Sequence, residues 1–305
     1  MNILTMQSAL ELGIIFALLS LGSFISYRTL NFPDLTVEGS YTLGAAVSVM
    51  VTIAGHPFLS LSAAFFAGAV AGSITALLST KLKIQPLLSG ILMMLALYSI
   101  NLKVMGNRAN INLINQRNIY SIFDGTALQA YQTLITASLI LIVILLLLYF
   151  FLKTKFGFVL RATGDNKNMV RALGTNTDFT ILIGLALSNG LVGLCGAMIA
   201  HEQLFADVGM GIGMVVIGLA SVIIGEVIFG TNGLFRRLMA VALGAIVYRF
   251  VIAIVLELGM PSTDLKLISA IIVALALAMP VIKKNIELAK KKRRNIRGGK
   301  NNAKN

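Results

Sequence analysis

Apolar runs of roughly twenty residues alternate with short polar stretches along the whole chain, and this pattern predicts nine membrane-crossing helices. They are expected over Ala9–Tyr27, Gly39–Ala54, Leu59–Thr80, Ile84–Leu102, Thr133–Leu152, Thr180–Ala200, Ile212–Phe229, Leu238–Leu256 and Leu265–Ile282. An uncharged run of about 18 residues, such as Leu134–Leu152, is long enough to cross the hydrocarbon layer as a helix. The expected fold is therefore an all-α polytopic membrane protein of about nine transmembrane helices. Ala64, Gly68 and Gly72 recur at four-residue spacing, as do Gly184 and Ser188, then Gly196 and Ala200. Small side chains at that spacing let helix backbones approach closely where lipid supplies no hydrophobic drive.

Composition agrees with the pattern and excludes a water-soluble domain. Only 12% of the 305 residues are charged, against roughly 25% in an average soluble domain. The net charge of +13 is concentrated at one end: ten Lys or Arg lie between Lys283 and Lys304, opposed only by Glu287. A basic tail directly after an apolar run is a cytoplasmic terminus under the positive-inside rule, and it touches anionic lipid rather than nucleic acid. Counting spans back from that tail puts Arg28, Lys81, Lys83, Lys153 to Arg171 and Arg236–Arg237 inside, and the N-terminus outside. The Lys103–Gln132 loop then falls outside with Lys103, Arg108 and Arg117 against Asp124, which the rule does not favour. The expected organisation is a transmembrane domain over 1–282, in halves of about 1–132 and 133–282, and a basic cytoplasmic tail over 283–305. The N-terminus lacks a basic n-region, so no cleaved signal peptide is expected. Cys195 is the single cysteine, which leaves no intrachain disulfide and no cysteine metal cluster.

Two polar stretches echo each other. Asn31-Phe-Pro-Asp-Leu-Thr-Val-Glu-Gly39 and Leu204-Phe-Ala-Asp-Val-Gly-Met-Gly211 share Phe, one residue, Asp and an aliphatic, and each precedes a glycine-rich helix. They are five spans apart, so the two copies would be inserted in opposite orientations, as in transporters built from inverted repeats with interrupted helices. Residues expected to line a pathway are Phe32, Asp34, Thr36, Glu38, Asn189, Phe205 and Asp207. Ionisable residues within membrane depth are costly and need a reason. Asp34, Glu38 and Asp207 suit a solute amine, and suit helix capping equally well. Tyr41 and Tyr248, with Phe32 and Phe205, suit an apolar or aromatic solute, although aromatics in a bundle are ordinarily core. Arg249 lies within the bilayer's depth and is expected to face the bundle and pair with an acid, for which Glu226 and Glu257 are the candidates, or with carbonyls.

Between two spans, over 153–178, Asp165 or Asn166 can cap a short helix through Leu173, and Gly174 can end it. That helix would carry Met169, Val170 and Leu173 beside Lys167 and Arg171. Apolar knobs outside the membrane suit a groove on another protein, or a lipid surface.

The stretch Leu160-Arg-Ala-Thr-Gly-Asp-Asn … Arg171-Ala-Leu-Gly-Thr-Asn-Thr-Asp178 resembles the coupling-helix region of ABC importer permeases of the branched-chain amino acid/ribose class. The Asn31–Gly44 motif and Gly218-Leu-Ala-Ser-Val-Ile-Ile-Gly-Glu226 extend the resemblance, which is closest to the tryptophan/tyrosine (amino-acid) permease branch. It implies a permease in the cell inner membrane that imports a small solute, an amino acid and among these an aromatic one. It implies as partners an ATP-binding subunit, an extracytoplasmic solute-binding (lipo)protein and a second permease chain in a homodimer. Gly164, Asp165, Asn166, Met169, Val170, Arg171, Leu173 and Gly174 would then form the ATPase-coupling helix. The chain has no phosphate-loop motif of its own, so ATP hydrolysis belongs to a partner. An ion-coupled secondary transporter is the competing reading. His56 and His201 sit in no zinc-protease motif, and neither an enzyme nor a cofactor is expected.

Overall fold

A computed structural model describes residues 3–114, 116–121, 125, 129–259, 264, 267–275 and 278. Of the ninth expected span residues 267–275 and 278 are thus described, whereas the basic tail over 283–305 lies outside the described residues, as does Asp124. In chain order the helices are α1 (Ile3–Ser23, continued by a π-helical turn Phe24–Thr29), α2 (Thr36–Ile53), α3 (Pro57–Thr80) and α4 (Pro86–Val104). There follow α5 (Gln132–Lys153), α6 (Lys155–Asp165), α7 (Lys167–Ala172), α8 (Thr177–Gln203), α9 (Met214–Phe229) and α10 (Leu234–Glu257). Residues 267–275 are also helical.

The boundaries follow local chemistry. Pro57 and Pro86 open α3 and α4 at the position where the missing N–H costs nothing. Thr154 caps α6 by accepting from Gly157 N–H at 3.2 Å, and Asn176 caps α8 by accepting from the N–H groups of Asp178 and Phe179 at 3.1 and 3.2 Å. Gly230 and Gly233, both at positive φ, part α9 from α10. Helices α2 and α9 each start after a non-helical stretch, residues 30–35 and 204–213.

Among the described residues six helices, not the nine expected spans, are long and apolar enough to cross a membrane: α1 with its π-helical turn, α3, α4, α5, α8 and α10. The expected second and seventh spans do form helices, but each falls short for its own reason. Helix α2 carries Thr36, Glu38, Ser40, Thr42, Ser48 and Thr52 and is walled in by protein, with most of its side chains buried. At 16 residues α9 is about 24 Å long against a hydrocarbon layer of about 30 Å.

Helices α1 and α8 form the centre and pack on each other. Of their most apolar 18 residues 83% and 78% are buried, against 28% in α4 and 22% in α5 at the periphery. Helices α2 and α3 pack against α8 and against each other, while α9 and α10 pack against α1 and against each other. The small-residue stripes lie in these seams. Ala64, Gly68 and Gly72 of α3 face α8, where a Cβ on Gly68 or Gly72 would strike the carbonyls of Asn189 and Leu185.

A two-stranded antiparallel ladder, absent from the all-helical expectation, joins the connection after α4 to the one after α8. Strand β1 (Asn110–Asn112) pairs with β2 (Phe205–Asp207) in the register Asn110↔Asp207, Ile111↔Ala206 and Asn112↔Phe205.

Candidate translocation site and coupling segment

The break after α1 holds a fully buried polar lock. Asn31 in the left-handed region (φ 51°) and Pro33 keep the chain from continuing as helix. Asp34, with no solvent exposure, accepts from Thr36 N–H at 2.9 Å and from Asn189 Nδ2 at 2.7 Å. Asn189 Nδ2 also donates to Leu185 O at 3.1 Å, and the hydroxyls of Thr36 and Thr75 share a hydrogen bond of 2.7 Å. Asp34 thus satisfies the first turn of α2 and ties it to the middle of α8. Phe32 is buried beside this lock, and α4 approaches it closely because Gly90 has no Cβ to strike Leu35 N.

The second break meets the first at Glu38. Its Oε1 accepts from Gly213 N–H, the N-cap of α9, at 2.9 Å, so the first turn of one helix caps the start of another. Gly211 rests on the Glu38 carbonyl at a distance no side chain would permit. A cavity of about 280 Å³ opens here, lined by Glu38, Thr42, Tyr98, Asn101, Gly211 and Ile212 among others. Asn101 Nδ2 donates to Gly39 O at 3.2 Å, and its Oδ1 has no hydrogen-bond partner among the described residues. A lining that mixes Glu38, Thr42 and Asn101 with Met94, Leu95 and Ile212 suits a small amphipathic solute.

The expected pathway residues therefore fall into three groups. Asp34, Thr36 and Asn189 form the buried lock with Phe32 alongside, and Glu38 lines the cavity. Phe205 and Asp207 lie on β2, where Asp207 accepts from Gly209 N–H (2.8 Å) and from Asn110 Nδ2 (3.5 Å) and does not meet Asp34. Sequence reasoning missed Thr75 and Asn101. The signal for both was a polar side chain within a largely apolar helix, which must find a partner across the bundle.

Arg249 departs from expectation in one respect. Its guanidinium stands over the Phe16 ring, 3.7 Å from the centroid, and Glu226 is not its partner. Glu226 instead lies between Arg28 and Arg237, each of which donates from Nε at 2.9 Å and approaches with Nη2 at 2.8 Å. His201, wholly buried, has Nε2 within 3.0 Å of the Ser48 and Ser60 hydroxyls and 3.3 Å of Thr52 Oγ1, a clamp joining α2, α3 and α8.

In the segment over 153–178, Asn166 Oδ1 caps α7 by accepting from Met169 N–H at 3.0 Å, and Gly174 takes a φ of +82° just past its end. Asp165 closes α6 immediately before this cap. Val170 turns inward (3% exposed), whereas Met169 and Leu173 face out (49% and 75%). Arg171 Nη2 donates to Asp178 Oδ1 at 2.9 Å, which fixes α7 against the first turn of α8. Behind α7, Gly164 of α6 abuts the Thr29 carbonyl at the end of the π-helical turn, five residues before Asp34. The exposed knobs, α6 and the buried lock are thus mechanically contiguous.

A polytopic helical protein with a buried polar break, a cavity beside it and a short capped helix between spans is built as a membrane-transport protein would be. The chain belongs to the family described as "Branched-chain amino acid transport system / permease component", whose model matches residues 5–278. It is thus a transport permease of the ABC-importer type rather than an enzyme, and permeases of this family work with an ATP-binding subunit and a solute-binding protein. The chain is 38% identical, over 89% of its length and 90% of the relative's, to a tyrosine transport system permease protein of Clostridioides difficile. It is 37% identical, over 91% of its length and 98% of the relative's, to an uncharacterized protein of Rickettsia prowazekii. A nucleoside ABC transporter permease protein of Lactococcus lactis is 27% identical over 60% of this chain and 62% of its own. No solved structure matches the chain.

Proposed function

We propose that the chain imports an amino acid, an aromatic one included, as half of a homodimeric permease driven through α7 by a cytoplasmic ATP-binding subunit. The observation that carries the reading is the geometry of α7: a capped helix of one and a half turns showing Met169 and Leu173 outward while Val170 anchors it. Such a knob fits a groove on a motor subunit, and a push on it passes through Gly164 to the Thr29 carbonyl and the Asp34 lock. The amino-acid assignment is supported by Glu38 in the lining of the cavity, a carboxylate that suits an ammonium group. It is also supported by the likeness to a tyrosine permease. Under this reading α6, α7 and the tail over 283–305 face the cytoplasm.

Co-expression with the cognate ATP-binding subunit and reconstitution with the solute-binding protein tests both parts. Met169→Asp is expected to leave membrane insertion intact, to abolish co-purification of the ATP-binding subunit, and to stop ATP-dependent uptake of labelled tyrosine. Retained coupling in that variant would overturn the role of α7. Uptake of labelled nucleoside but of no amino acid by the wild type would overturn the solute class.

A further inference from the structure

At the end of the bundle that carries α6 and α7, a cavity of about 370 Å³ is lined by three arginines from three different elements. Arg28 comes from the π-helical turn, Arg161 from α6 and Arg237 from the first turn of α10. Asp165 is the lining carboxylate, and the buried Glu226 sits behind Arg28 and Arg237. Three guanidiniums against two carboxylates leave the group one positive charge in excess. Glu226 takes Nε and Nη2 from Arg28 and from Arg237, so the remaining N–H donors of both forks are free to turn to another acceptor.

Arg161 is the least satisfied of the three. Its Nη2 reaches only Leu152 O at 3.5 Å, and its Nε is buried with no hydrogen-bond partner among the described residues. A buried guanidinium N–H left unpaired is costly, and an acceptor entering the cavity would remove that cost. Phe158 lies at 5.7 Å from this guanidinium and is 65% exposed.

The cavity sits where α5 ends and α10 begins, two helices long and apolar enough to cross a bilayer, so it lies at headgroup depth. Lys153, Arg236 and the exposed Phe150 and Phe235 share this level, the mixture of cationic and aromatic side chains that borders a membrane surface. We propose that the cavity binds a phosphate group, presented by the headgroup of an anionic lipid. The three arginine forks would share the phosphate oxygens, and Phe158 would lie along the start of the acyl chains. A lipid held there would bridge α1, α6 and α10 and stiffen the seat from which α7 projects.

The proposal is tested on the full chain in detergent, with no need for transport. Native mass spectrometry would be read with phosphatidylglycerol, with phosphatidylcholine and with inorganic phosphate. One phosphatidylglycerol per chain is expected to survive where phosphatidylcholine does not. Arg161→Gln should weaken that binding roughly tenfold, the worth of a charge-assisted hydrogen bond. Arg117→Gln, an exposed arginine elsewhere, should leave it unchanged. Arg161→Lys keeps the charge without the fork and should fall between, which separates loss of the site from loss of the fold. Equal retention by wild type and Arg161→Gln would overturn the site. Displacement of phosphatidylglycerol by millimolar inorganic phosphate would overturn the lipid as its occupant.

Discussion

At Asp34 a carboxylate without solvent exposure is tolerated because Thr36 N–H and Asn189 Nδ2 both point at it. A hydrogen bond to a charged group contributes about 1.5–3 kcal/mol, and a buried acceptor stripped of its donor costs at least as much. Asn189→Leu is therefore expected to lower stability by about 2–3 kcal/mol, read as a fall in thermal midpoint in detergent. Asn189→Asp should be worse still, since it sets two carboxylates face to face. If Asn189→Leu melted with the wild type, Asp34 would have to be held by something other than α8. That Asp34 mattered was legible in the sequence, because an acid beside Pro33 at the mouth of an apolar helix needs a reason. Its partner was not: Asn189 is 155 residues away, and nothing local to either residue marks the pairing. A similar separation, 198 residues, hid the contact of Arg28 with Glu226, whereas Arg237 lies only 11 residues from Glu226 and was overlooked when Glu226 was offered as a partner for Arg249.

Among elements, α7 was the most legible because its determinants are all local. Asn166, Met169 and Gly174 lie within nine residues and contain the cap, the knob and the stop. Helix α2 was the least legible as a span. An apolar run looks alike whether lipid or protein surrounds it, and its serines and threonines reveal themselves only when the structure gives them partners such as Thr75, Ser60 and His201. The ladder of β1 with β2 was invisible for a further reason, since three-residue strands carry no periodicity to read. Between elements, the contact most open to test is Gly164 on the Thr29 carbonyl. Any side chain there must push α6 away from the π-helical turn. Gly164→Leu is expected to preserve insertion and binding of the ATP-binding subunit, because α7 is untouched, yet to uncouple ATP hydrolysis from uptake. ATPase stimulation and transport measured side by side would separate the two. If both persisted at wild-type levels, the push would travel by another route.

For the whole molecule, the centre is built from α1 and α8, with α2 and α3 on one and α9 and α10 on the other, and this leaves two kinds of outer face. Helix α5 presents a largely apolar surface, with Leu139, Ile142, Leu146 and Leu147 exposed and Ser138 as the polar residue beside them, as a lipid-facing helix should. The face of α4 differs, because Tyr98 is half exposed at the mouth of the Glu38 cavity. If two copies share one pathway on a two-fold axis, each must turn the cavity face inward, and an isologous contact brings the same residue of both copies near the axis. The native Cys195 is buried and donates to Ile15 O, so it will not interfere with introduced thiols. Tyr98→Cys is expected to form a disulfide-linked dimer on mild oxidation in membranes, and Leu139→Cys on α5 is expected to stay monomeric. The reverse result would put α5 at the interface and turn the Glu38 cavity towards lipid. That would leave its acceptors with no aqueous route by which a solute could reach them, and the pathway would have to be sought on another face of the bundle.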